Sequence, residues 1–128
     1  MKNDTGKNCL ATLGRWLIPV LVAGLVASTP SLAGEISAAA IEEGRLIADD
    51  RKRGNCYSCH QVAGAELAGN TAPPLVYMKK RFPDRVALRA QIADPRQRNP
   101  NTIMPPYGAH GILTEQELDR LVDYVLSL

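Results

Sequence analysis

Apolar and polar positions divide the chain into one uninterrupted apolar run and three amphipathic stretches. The run extends from Trp16 to Ala27. The first amphipathic stretch follows Ser37, a residue type that caps helices by accepting from an orphan N–H. Ala40, Ile41, Leu46, Ile47 and Ala48 then recur at helical spacing and predict a helix over about residues 38–50. Gly44 lies inside that pattern. An interior glycine costs about 1 kcal/mol against alanine, so close approach by another backbone or a ring is its expected reason. Arg51-Lys52-Arg53-Gly54 ends the helix in a solvated break. A second helix is predicted from Pro83-Asp84, carrying Val86, Leu88, Ala90, Ile92 and Ala93 and stopped by Pro95, which cannot continue a helix. The third opens on Thr114-Glu115-Gln116-Glu117, a capping box, and Leu118, Leu121, Val122, Val125 and Leu126 form its apolar face. Two loops separate these elements. Residues 64–74 are rich in Gly, Ala and Pro, and Ala72-Pro73-Pro74-Leu75 reads as extended chain; residues 96–111 contain Pro100, Pro105 and Pro106. No alternating strand pattern, repeat or low-complexity segment interrupts this order, so the expected class is all-α, a small helical domain.

The apolar run changes the picture of the N-terminus. Lys2, Lys7 and Arg15 precede it and Ser31-Leu32-Ala33 follows it, the order of a secretory signal peptide with small residues at the cleavage site. Cleavage is expected after Ala33, making 1–33 a signal peptide and 34–128 the domain, exported to the periplasm. The run is shorter than the roughly 20 residues a spanning helix needs, which favours removal over the alternative of an uncleaved anchor. Cys9 would leave with the leader. The net charge of +2 is carried by that leader, where Lys2, Lys7 and Arg15 outnumber Asp4, so residues 34–128 are formally neutral and no nucleic-acid partner is implied. Aromatics are 5% of the chain and Phe82 is its single phenylalanine. A domain this small with so little large apolar material needs something else to fill its middle.

Cys56-Tyr57-Ser58-Cys59-His60 supplies a candidate. C-x-x-C-H is the spacing at which two thiols add to the two vinyl groups of one haem while the next residue, a histidine, reaches the iron as a neutral imidazole ligand. A disulfide or thioredoxin-like pair between Cys56 and Cys59 is the first alternative, and a thioredoxin motif wants a βαβ setting that the pattern lacks. Structural zinc would need two further ligands, and His110 is the remaining histidine. For the second axial position Met104 is favoured, because it sits in a polar, proline-stiffened loop with no apolar helical face to join. Met78 and His110 are the alternatives. Met78 adjoins Lys79-Lys80-Arg81, which suggests surface or haem-edge packing for it. A ligating histidine passes its other N–H to an acceptor that fixes the ring; the Pro73 carbonyl is favoured, with the Pro74 carbonyl left open.

With these residues in place, residues 36–128 resemble the class I cytochrome c fold: a helix, C-x-x-C-H, a proline-leucine loop, a helix, a methionine-proline loop and a last helix. In that family the first and last helices cross at a glycine contact, which implies Gly44 against the face bearing Leu121 and Tyr124. Ala72 departs from the pattern, since a glycine often precedes the loop proline. Three further stretches, from Met78 to Asp84, from Arg98 to Gly108 and from Ile112 to Thr114, resemble the SoxX cytochromes of bacterial thiosulfate oxidation. That resemblance implies one covalently bound haem c on Cys56 and Cys59, with His60 and Met104 as iron ligands and Pro73 behind His60. It implies a SoxA-like cytochrome as heterodimer partner, and transient contact with the SoxYZ carrier and a downstream electron acceptor. It places no catalytic residue on this chain: the L-cysteine S-thiosulfotransferase chemistry of the complex belongs to the partner, and no membrane contact remains once the leader is gone. The rival readings are a freely diffusing monohaem cytochrome serving an oxidase, and a solitary haem peroxidase or thiosulfate dehydrogenase, which would want an open distal site.

Overall fold

The computed structural model describes residues 36–128. The chain divides into two units, Met1–Ser31, which lies outside the described residues, and Leu32–Leu128. The expected signal peptide, its cleavage site and Cys9 therefore also lie outside the described residues.

Four α-helices are formed among the described residues: α1 (Ala38–Asp49), α2 (Met78–Arg81), α3 (Arg85–Ala93) and α4 (Glu115–Leu126). Three of them start as their cap residues dictate. Ser37 Oγ accepts from Ala40 N at 3.1 Å, and Asp84 Oδ1 accepts from Val86 N at 2.8 Å. At α4 both halves of the capping box are made, Glu117 N donating to Thr114 Oγ1 and Thr114 N donating to Glu117 Oε2. Short 3-10 turns cover Cys56–Ser58 and Pro95–Gln97. Among the described residues, β pairing is limited to a single parallel bridge between His60 and Ala72, so the fold is all-α.

The core is built on α4. Its residues 121–126 are buried without interruption, because α1 packs on one side and α3 on another. The crossing with α1 is made at Gly44. A Cβ there would collide with the Arg120 carbonyl oxygen and come within 2.7 Å of Tyr124 Cβ. The contact therefore falls on Arg120 and Tyr124, one turn apart on α4. Ile47 and Ala48 follow into the core.

The α3–α4 contact is electrostatic at its edge. Arg85 reaches Asp123 Oδ1 at 2.8 Å, and Arg89 donates to Asp119 Oδ1 at 2.8 Å. The hydrogen bond from Arg89 is the main cause that holds the Asp119 carboxyl below the usual carboxylate range.

α2 is absent from the sequence expectation, and of the two packings expected for Met78, surface or haem-edge, it excludes the surface one. Tyr77 enters the left-handed region at φ 54°, and the turn that follows sends Met78 inward while Lys79, Lys80 and Arg81 stay exposed. Met78 is 2% exposed, and its N–H donates to the Leu128 carbonyl at 3.0 Å. A single helical turn is long enough to put one side chain opposite the next three. The Arg51-Lys52-Arg53 run is exposed as expected, although Arg53 is paired with Asp50 at 2.7 Å and with Glu117 at 3.2 Å.

Gly44→Ala gains helix propensity of about 1 kcal/mol but forces α1 and α4 apart, and overpacking of this kind costs about 1–3 kcal/mol. The clash is with backbone, which cannot rotate away. Thermal denaturation of the haem-loaded protein is expected to show a lower midpoint for Gly44→Ala, and a larger drop for Gly44→Val.

Candidate functional site

The loop after α1 is closed by backbone bonds. Gly54 N donates to Ile47 O at 3.1 Å and Asn55 N to Asp50 O at 3.0 Å. Asn55 then takes a left-handed conformation, φ 48°, which asparagine tolerates better than most residues, and its side-chain oxygen accepts from Ser58 Oγ. From there Cys59 N and His60 N both donate to Cys56 O, at 3.2 and 3.0 Å. The turn brings Cys56, Cys59 and His60 to one cavity. Tyr57, between the cysteines, points the other way and shares a 2.6 Å hydrogen bond with the Tyr124 hydroxyl on α4.

His60 is set by a second strand of chain. Ala72 N donates to Cys59 O at 3.0 Å, and Leu75 N donates to Gln61 O at 2.9 Å. These two bonds lay residues 72–75 beside residues 59–61, and the Pro73 carbonyl falls 2.7 Å from His60 Nδ1. A carbonyl only accepts, so Nδ1 carries a proton, which in the neutral ring leaves Nε2 its lone pair. The Pro74 carbonyl, the alternative left by the sequence, is taken by Arg81 at 2.7 Å. Gly69 makes the fit possible. Its N–H donates to Tyr57 O at 2.7 Å, and a Cβ there would lie 2.8 Å from Cys59 Cα.

Met104 comes to the same cavity from the opposite loop. Thr102 N donates to Asn99 O and Met104 N to Thr102 Oγ1, each at 3.1 Å, and Pro105 and Pro106 follow. Met78 also lines the cavity, with its sulfur accepting from Arg81 at 3.4 Å. His110 does not. It is exposed, away from the cavity lining, and Arg96 donates to its Nε2 at 3.2 Å.

The cavity measures about 440 Å³, in the range of small-molecule and cofactor sites. Its walls are apolar: Leu75, Phe82, Leu88 and Ile92, with Leu121 and Val125 from α4. Burial pushes the Cys56 thiol up to about 12, so it is neutral at physiological pH. Tyr107, absent from the sequence expectation, lies against it. This residue is 6% exposed, and its hydroxyl donates to Gly54 O at 2.5 Å. Burial pushes the Tyr107 phenol up as well. Two thiols, one imidazole nitrogen, methionine sulfur and an apolar slot form a donor set suited to a flat, largely apolar metal macrocycle. Among the described residues no cluster of three or more His, Cys, Asp or Glu side chains is placed to hold a bare metal ion.

A model of the cytochrome c family matches residues 41–128. The chain belongs to the cytochrome c family. A cytochrome c carries covalently bound haem, and the side chains and apolar lining of this cavity suit that group. Its fold is similar to a chain of the crystal structure of SoxXA from P. pantotrophus, with a TM-score of 0.61 and 28% identity over 67% of this chain and 79% of that one. It is also 33% identical over 75 residues to an uncharacterized lipoprotein of Aquifex aeolicus. That match covers 58% of this cytochrome but spans only 36% of the curated relative's length. No described helix is long and apolar enough to cross a membrane.

Removing the Tyr107 hydroxyl leaves the buried Gly54 carbonyl without its partner, a cost of about 1–3 kcal/mol. Chemical denaturation of Tyr107→Phe is expected to show that loss, with the transition slope unchanged.

Proposed function

We propose that this cytochrome is a periplasmic electron relay, the SoxX-like subunit of a SoxAX-type complex that serves thiosulfate oxidation. The observation that carries the reading is the convergence of Cys56, Cys59, His60 and Met104 on one apolar cavity, in a chain similar to part of SoxXA. In this reading the thiols of Cys56 and Cys59 give the two thioether sulfurs, and His60 ligates iron through Nε2, held by the Nδ1–H···O=C bond to Pro73. Met104 gives the distal thioether sulfur, a ligand that favours reduced iron and raises the potential. Of the two rivals for that position, His110 is turned to Arg96 on the surface, and the Met78 sulfur is engaged by Arg81. The bound haem supplies a one-electron couple.

Among the described residues no cysteine is left over as a nucleophile. Cys56 and Cys59 are the two cysteines of the described residues, and both are committed to the cofactor. Chemistry on sulfur then falls to a SoxA-like partner, where thiosulfate is joined oxidatively to a cysteine of the SoxYZ carrier and two electrons leave. This chain passes them on singly to a downstream acceptor. Residues 1–33 act as the export signal.

Three experiments test the reading. Met104→Ala is expected to lose the iron–sulfur absorption band of the oxidised protein and to lower the midpoint potential; an unchanged spectrum refutes Met104 as the ligand. Affinity purification from the native organism is expected to bring down a larger haem protein, and deletion of the gene to abolish growth on thiosulfate. A protein that runs as a monomer, together with undiminished thiosulfate oxidation, would overturn the SoxX-like assignment in favour of a freely diffusing cytochrome.

A further inference from the structure

The chain is held differently on the two sides of Met104. Between Asn99 and Met104 the hydrogen bonds close on the loop itself: Asn99 N donates to Pro95 O at 3.0 Å, Asn101 N to Asn99 Oδ1 at 3.1 Å, Thr102 N to Asn99 O at 3.1 Å and Met104 N to Thr102 Oγ1 at 3.1 Å. Asn99, Asn101 and Ile103 are exposed along this stretch, Ile103 to 81%. Downstream the loop turns inward. Pro106 and Tyr107 are buried, and the Tyr107 hydroxyl donates at 2.5 Å to the carbonyl of Gly54, 53 positions earlier in the chain. Gly54 is itself buried and fixed to α1, its N–H donating to Ile47 O at 3.1 Å. Gly108 N and Ala109 N then both donate to the Ala93 carbonyl at the end of α3, each at 3.0 Å.

The Tyr107 bond therefore fastens the segment that carries Met104 to the segment that leads into Cys56. Pro105 and Pro106 are the whole connection between Met104 and Tyr107, and each proline fixes its own φ. Met104 consequently has few ways to swing out of the cavity without dragging Tyr107 with it. In the closed loop the hydroxyl satisfies a buried carbonyl; when the loop opens, that bond is lost. An interaction made in one of two states favours that state by its own net free energy.

We propose that Tyr107 is the latch of the distal ligand, a positioning residue that holds Met104 in the cavity through Gly54 and sets how readily an external base takes the place of the methionine sulfur. This rests on the reading of Met104 as the distal iron ligand and adds to it the residue that keeps the ligand in place. The latch also closes the site to substrate-like ligands, as an electron relay requires.

The test uses the haem-loaded oxidised protein, with imidazole as the probe and loss of the iron–sulfur absorption band as the readout. Tyr107→Phe is compared with Ser37→Ala, which removes the α1 cap far from the loop and lowers stability by a similar amount. Tyr107→Phe is expected to bind imidazole about tenfold more tightly than the wild type, the factor that corresponds to about 1.4 kcal/mol withdrawn from the closed loop. Ser37→Ala is expected to bind it as the wild type does. Unchanged affinity in Tyr107→Phe, or an equal gain in Ser37→Ala, overturns the proposal. Where Tyr107→Phe yields no mature protein, hydrogen exchange on the wild type decides. The Ile112 and Leu113 amides donate to the Tyr107 carbonyl at 2.9 and 3.0 Å, and both are expected to lose protection once imidazole is bound; retained protection means that Met104 leaves while Tyr107 stays, and overturns the proposal. A wild type without an iron–sulfur band refutes the reading of Met104 beneath this inference, whereas a wild type that has the band and a latch variant with unchanged imidazole affinity refute this inference alone.

Discussion

The site depends on two irregular segments lying side by side. The bonds from Ala72 to Cys59 and from Leu75 to Gln61 are ordinary backbone hydrogen bonds, each with a modest net contribution to stability. Their effect is geometric. They fix residues 72–75 against the motif, and from that pairing come the Pro73 carbonyl behind His60, the Pro74 carbonyl in front of Arg81, and the direction in which the chain enters α2. Prolines suit this segment because they remove backbone donors that would otherwise need partners, while their carbonyls remain free to accept.

α4 is the counterpart of that pairing on the regular side of the molecule. It supplies Leu121 and Val125 to the cavity wall, Tyr124 to the tyrosine pair behind the motif, and the backbone that Gly44 meets. One helix thus sets the distance from α1, the orientation of the Cys56–Cys59 turn and one wall of the slot. A domain with one phenylalanine achieves this by burying nearly every residue of its last two turns.

The helices with capping residues were legible in the sequence because capping and periodicity are local. Ser37, Asp84 and Thr114 start α1, α3 and α4, and Gly44 announced a close contact, for which the family resemblance supplied the face of the last helix and the fold the residues, Arg120 and Tyr124. α2 escaped because four residues have no period to detect, and three cations in a row conceal the one that turns inward. The motif and the rigid loop of Met104 carried their chemistry in residue type and spacing. What decided between Pro73 and Pro74, and what removed His110 from the cavity, was tertiary: the register of two segments that only the fold brings together, and an arginine that holds the imidazole on the surface. Tyr107 and Gly69 left no local signal. A single aromatic after two prolines and a glycine in a glycine-rich loop look like loop composition until the Gly54 carbonyl and the Cys59 backbone are placed beside them.

The distribution of ion pairs has a consequence at longer range. Arg45, Arg53, Arg85, Arg89, Arg96 and Arg120 are each paired with a carboxylate, whereas Lys79, Lys80 and Arg81 on α2 stand without one among the described residues, and Arg98 is stacked on an aromatic ring. Together with Arg51 and Lys52 in the loop after α1, which also have no carboxylate partner among the described residues, these cations leave unspent positive charge at two places on the surface. Within about 8 Å, the screening length at physiological salt, an anionic surface meets that charge before any contact forms.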